Sequence, residues 1–123
     1  MKFTQQGPAG ANLIRRYGDD FIVIGDEDIR RSCLVSAATL VRDWAPRNVA
    51  ELTVAHLATI FEHAPEVVVL STGASQTFPR AALRAEFATR RIGLEVMEVG
   101  AACRTYNVLV GEDRKVIGAI LLP

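Results

Sequence analysis

Val67–Leu70 is an unbroken apolar run, mostly β-branched, near the middle of a 123-residue chain. A strand that is apolar at every position is covered on both faces, so the sheet that contains it needs packed material above and below. The run ends in Ser71-Thr72-Gly73-Ala74-Ser75-Gln76. Pro79 then suits the first turn of a helix reaching Arg91, with Gly93 as its stop, and Leu94–Glu98 follows as a second short buried strand. Strand, loop, helix and strand form a βαβ unit. Its right-handed crossover sets the two strands parallel and brings both strand-to-helix junctions to one edge of the sheet.

That edge is where ligand clefts of parallel sheets lie. The second strand runs through Gly100 into a helix that carries Cys103, Arg104 and Asn107. At roughly 100° per residue these three fall within one arc, a polar patch on an otherwise apolar helix. Two helix N-termini offer N–H groups and positive dipole ends to one small space, and Arg104 adds a full charge, so an anionic group fits there. Ser71, Thr72, Gly73, Gln76, Arg104, Tyr106, Asn107 and Arg114 are the candidate ligand-binding residues. The competing reading is structural: the glycines turn the chain, the hydroxyls cap a helix, and Tyr106 and Asn107 fasten the second helix to the Ser71–Ala74 loop. The loop lacks a P-loop lysine and the spacing of a dinucleotide fingerprint, and no cofactor is expected. Cys103 is the candidate nucleophile, since a cysteine in the first turn of a helix beside an arginine can have a depressed pKa. Against it, no histidine lies near in sequence to act as base, and small buried thiols are common core residues.

The rest of the chain supplies the covering layers. Asn12–Tyr17 and Phe21–Ile24 flank Gly18-Asp19-Asp20 in a hairpin pattern, and Gly25–Asp28 turns the chain into Ile29–Ala37, where Cys33 and Val35 share one face and Leu34 takes the other. Residues 12–37 read as an antiparallel meander, residues 1–11 as a loosely held start and residues 53–123 as the α/β portion of a single domain. Thr53 caps a helix reaching about His63, and Trp44 lids the core. Asp26-Glu27-Asp28 reads as a solvated tip and His56 and His63 as surface histidines, so no metal site is expected. The arginines of the Pro79–Arg91 helix flank a Leu83/Phe87 stripe and snorkel over it. Lys115–Leu122 is the last strand, paired inside the sheet.

Net charge is zero, which leaves no global field to attract nucleic acid or an anionic membrane. No apolar run approaches the ~18 residues of a membrane span. The two cysteines are expected to be free thiols in a reducing cytoplasm.

A-A-C-R-T-Y-N at Ala101–Asn107, with Glu112 and Arg114 following, resembles a small domain family that includes mitochondrial complex I assembly factor 3, an adipogenesis-associated protein and many uncharacterised prokaryotic members. Ser32–Ala37 with Trp44, Pro65–Gly73, Gly93–Met97 and Arg114–Leu122 extend the resemblance over nearly the whole chain. It implies a non-catalytic assembly or interaction role with a protein partner, linked to a respiratory or other membrane complex, and a cross-link from Arg114 back to the Cys103 helix. The family usually has Asp-Thr or Ser-Thr where this chain has Glu98-Val99, which removes a threonine expected to cap that helix. Residues and resemblance together give an α/β domain of three layers, β/β/α. The meander packs on a mixed sheet containing the βαβ unit, with helices on one face. The alternative functions are small-anion binding in the junction cleft and an enzyme acting through Cys103. Oligomeric state is not encoded in any of these features.

Overall fold

The central layer is a five-stranded mixed sheet, and its strand order explains where everything else must go. The computed structural model describes residues 10–123, so the expectation for residues 1–9 lies outside it. Strands β1 (Ile14–Gly18), β2 (Phe21–Ile24) and β3 (Glu27–Ile29) form an antiparallel sheet of their own. Strands β4 (Cys33–Val35) and β5 (Leu40–Val41) open the larger sheet. It is completed by β6 (Val67–Ser71), β7 (Gly93–Met97) and β8 (Val116–Ile120) in the order β5-β4-β8-β6-β7. Helices α1 (Val54–Glu62), α2 (Ala81–Thr89) and α3 (Val99–Gly111) connect them.

β6 is parallel to both neighbours, β7 and β8. The chain steps outward from β6 through α2 to β7, then doubles back past β6 through α3 to β8. Two right-handed crossovers in opposite directions put their helices on opposite faces. The three-layer order of meander, mixed sheet and helices holds for α1 and α2, but the expectation of helices on one face is corrected for α3, which shares the meander's side. The core divides accordingly. Val67 and Val69 of β6 join Ile14, Ile22, Ile24, Val35, Ala102 and Tyr106 on that side. Val68 and Leu70 join Leu57, Ile60, Leu83, Phe87 and Trp44 on the other. Every residue of β6 and β8 is buried, as a strand covered on both faces requires.

The expected strand over residues 29–37 divides. β3 ends at Ile29, and Cys33–Val35 crosses to the large sheet, pairing with β8. Two sheets cannot share one straight strand, and the polar break Arg30-Arg31-Ser32 makes the corner. Cys33 and Val35 do face one core and Leu34 the other. α2 begins at Ala81 rather than Pro79, and its left-handed stop is Arg91 (φ +59°) rather than Gly93. Ala64 and Asp113 end α1 and α3 in the same way, at φ +49° and +61°. Each places a side chain where glycine is ordinarily favoured. Trp44 is buried and donates its indole N–H to the His56 carbonyl at 3.3 Å, a lid with its polar tip satisfied.

Candidate functional site

The junction where β6 and β7 hand the chain to helices on opposite faces has the geometry of a ligand crevice, yet its polar groups are turned on one another. α3 starts at Val99, earlier than expected, because Glu98 caps it. The Glu98 carboxylate accepts from the Gly100 N–H at 2.8 Å and the Ala101 N–H at 2.7 Å. Those two backbone bonds, with Arg104 adding a smaller attraction, hold the Glu98 carboxyl below the usual range. The anion position at the helix N-terminus is thus taken by the chain's own carboxylate, and the threonine missing at position 99 is not a missing cap.

The loop is stitched to β7 in the same manner. The Thr72 N–H donates to the Met97 carbonyl at 2.9 Å and the Val99 N–H to the Gly73 carbonyl at 2.8 Å. The Thr72 hydroxyl donates to the Ser75 carbonyl at 2.6 Å, and the Gln76 amide donates to the Val96 carbonyl at 2.8 Å. Ser71 is fully buried, and its hydroxyl has no partner among the described residues.

Arg104, Tyr106 and Asn107 point elsewhere, to the N-terminal strand and Asn12 just before it, while the Thr105 hydroxyl donates to the Met97 thioether at 3.3 Å. Asn107 accepts from the Ile14 N–H at 2.9 Å and donates to the Ile14 carbonyl at 2.9 Å, so its amide serves as one more rung on the outer edge of β1. The Tyr106 hydroxyl donates to the Asn12 carbonyl at 2.7 Å, and an Arg104 N–H donates to the Tyr17 hydroxyl at 2.6 Å. Three neighbouring side chains of α3 therefore fasten 12, 14 and 17. The expectation that Tyr106 and Asn107 bind the Ser71–Ala74 loop is corrected: α3 lies on the meander's side of the sheet, and the meander is what they reach. Gly118 makes room for this arrangement, since a Cβ there would sit 3.2 Å from the Tyr106 ring and 3.1 Å from Val35.

Cys103 stands one full turn into α3 and is completely buried. Burial pushes its thiol up to about 12, with the Glu98 carboxylate adding to the rise and Arg104 opposing it. The expected depression fails because the cysteine is not in the first turn and desolvation outweighs the nearby charge. Cys33, equally buried, is also pushed up to about 12, and both are free thiols. Arg114 is likewise corrected: its guanidinium donates to Glu66 at 2.8 Å, and only its backbone N–H reaches α3, at the Leu109 carbonyl.

Sequence reasoning missed Glu98, Tyr17, Asn12 and Glu66. Glu98 was detectable as a carboxylate immediately before the helix. Tyr17 and Asn12 carry no local signal, since their partners lie 87 and 94 positions away. The acidic tip disperses into ion pairs of Asp26 with Arg15, Glu27 with Arg42 and Asp28 with Arg30.

Comparison with known proteins places this geometry. A protein from Xanthomonas campestris, solved by NMR, superposes with a TM-score of 0.85 at 32% identity, covering 99% of this chain and 92% of that one. The chain is 26% identical to the zebrafish (Danio rerio) NADH dehydrogenase [ubiquinone] 1 alpha subcomplex assembly factor 3, over 100% of this chain and 71% of that protein. It is 29% identical to a 13 kDa major membrane protein of Francisella tularensis, over 68% of this chain and 69% of that protein. No helix among the described residues is long and apolar enough to cross a membrane. A family model described as "Protein of unknown function (DUF498/DUF598)" matches residues 14–121, from the first strand to just past the last, and the chain belongs to that family.

Proposed function

We propose that this chain is a non-catalytic, protein-binding assembly factor that acts from the cytoplasm on a respiratory or other membrane complex. The observation that carries the reading is the similarity, along the entire chain, to a relative named as an assembly factor of NADH dehydrogenase. The engagement of Arg104, Tyr106 and Asn107 with the N-terminal strand and Asn12 supports it, because the polar residues of the Ala101–Asn107 stretch then hold a shape rather than perform chemistry. An external anion at the α3 N-terminus would have to displace Glu98, and a reaction through Cys103 would have to expose a fully buried thiol.

The test is deletion of the gene in the cells that produce the protein, with membrane complexes resolved on native gels. Incomplete subassemblies should accumulate and disappear when the gene is restored. Complexes at wild-type amount and size in the deletion strain would rule the assembly role out.

A further inference from the structure

Among the described residues, β7 is the outermost strand of the large sheet, paired on one side only. Its register with β6 fixes which groups are spent. The Gly93 N–H donates to Glu66 and the Met97 carbonyl accepts from Thr72, so residues 93, 95 and 97 turn their main-chain groups toward β6. Leu94 and Val96 must then turn theirs outward, away from the sheet. One of those outward groups is covered, since the Val96 carbonyl takes the Gln76 side chain. Beside this edge a groove of about 520 Å³ lies between α2 and β7, lined by Phe78, Arg84, Phe87, Ala88, Ile92 and Leu94 among others. Phe78 is 60% exposed, the most exposed large apolar side chain among the described residues. Arg84 and Arg91 have no carboxylate within ion-pair distance among the described residues, although Arg90 on the same helix is paired with Glu86.

We propose that the β7 edge is a docking site for an extended segment of a partner protein, which adds a sixth strand beyond β7 and lays alternate side chains into the α2 groove. This rests on the protein-binding reading above and names its surface. Main-chain pairing supplies the affinity of such strand addition, and the pockets met by alternate side chains supply its specificity. On the α2 side those side chains are apolar, with one acid set against Arg84. On the opposite side they are neutral or basic, facing the exposed Glu95. A second copy of this chain fits less well. The two-fold antiparallel register that joins the outward groups of Leu94 to those of Val96 sets Glu95 directly opposite its own copy, and like charges so placed repel. Gln76 acts as a removable cover, because an incoming strand brings its own N–H to the Val96 carbonyl.

The experiment is selection of a displayed library of random seven-residue peptides on the folded protein, followed by amide hydrogen exchange with a synthetic copy of the enriched sequence. The expected result is enrichment of apolar residues and one acid at a single parity, with the Leu94 and Val96 amides newly protected. Leu94→Pro removes an outward N–H and no ladder bond, and should weaken peptide binding by about 5- to 150-fold. Gln76→Ala should tighten it by about 2- to 10-fold, the reverse of a purely structural role. Arg84→Glu should weaken acidic peptides selectively, and it serves as the second variant should Leu94→Pro unfold. Failure to enrich any peptide, or protection away from 94 and 96, overturns the proposal. The two readings fail separately. If Leu94→Pro protein restores membrane complexes in the deletion strain as fully as wild type, the edge is wrong and the assembly role stands. If peptides protect β7 while the deletion leaves all complexes intact, the assembly role falls and the edge remains.

Discussion

Two strand edges of this molecule each carry a side-chain amide, and the amides do different work. At β1, Asn107 comes from a helix packed across the edge and satisfies both the N–H and the C=O of Ile14. At β7, Gln76 comes from an exposed loop and satisfies one carbonyl, and the outward N–H groups of the strand have no acceptor among the described residues. The first edge is closed by a part of the fold, and the second is covered by a side chain that can leave without disturbing any packed element. An edge that must never pair is built like β1.

The contrast is broken most visibly through the thiols, which lie beneath the closed side. With both raised to about 12, only roughly one thiol in ten thousand is ionised at pH 8, and burial excludes reagent besides. Alkylation of Cys33 and Cys103 should therefore wait for unfolding, and rapid labelling of the native protein would show the β1 side to be open. Asn107→Leu attacks the closure itself. It strands the two main-chain groups of Ile14 against a hydrocarbon and should cost about 1–3 kcal/mol in urea denaturation, with faster thiol labelling to match. An unchanged midpoint would mean that the amide contributes nothing.

Acid sharpens the same comparison. Glu98 has a folded-state pKa below its ordinary 4.5, so its contribution is complete above that value and is lost as pH falls through the lowered one. The stability difference between wild type and Glu98→Gln should shrink as pH drops below about 4.5. A difference that stays flat from neutrality to pH 3 would remove Glu98 from the account of α3. Smallest is Gln76→Ala, expected within about 0.5 kcal/mol of wild-type stability, since nothing packed depends on an exposed loop side chain. A large loss there would make the β7 cover structural.

The parts of this fold that were legible in the sequence are those whose causes are local. Val67–Leu70 announced a doubly covered strand, the glycine and acidic turns announced the first hairpin, and the stripe of Leu83 and Phe87 announced which face of α2 is buried. What escaped was set by topology. The side of the sheet taken by α3 follows from the chain doubling back past β6, which depends on β8 pairing between β4 and β6, a fact no window of residues contains. The polar residues of α3 were recognised as a group, but their targets depended on that side, so Tyr106 and Asn107 were assigned to the wrong neighbour. Cys103 was misplaced by about two residues, from the first turn into the second, because the cap at Glu98 was passed over and the helix was started after Gly100.

The bonds that close the β1 side also order events in time. Asn12, Ile14 and Tyr17 wait for partners 94, 93 and 87 positions downstream, and Ser32 bonds to Leu122, 90 positions on. While the chain is being synthesised, the first hairpin emerges with no helix to lie against and one apolar face uncovered. Contacts of such long range form slowly, and surface left bare in the interval is prone to association with other chains. The first hairpin thus waits for α3 before its apolar face is covered.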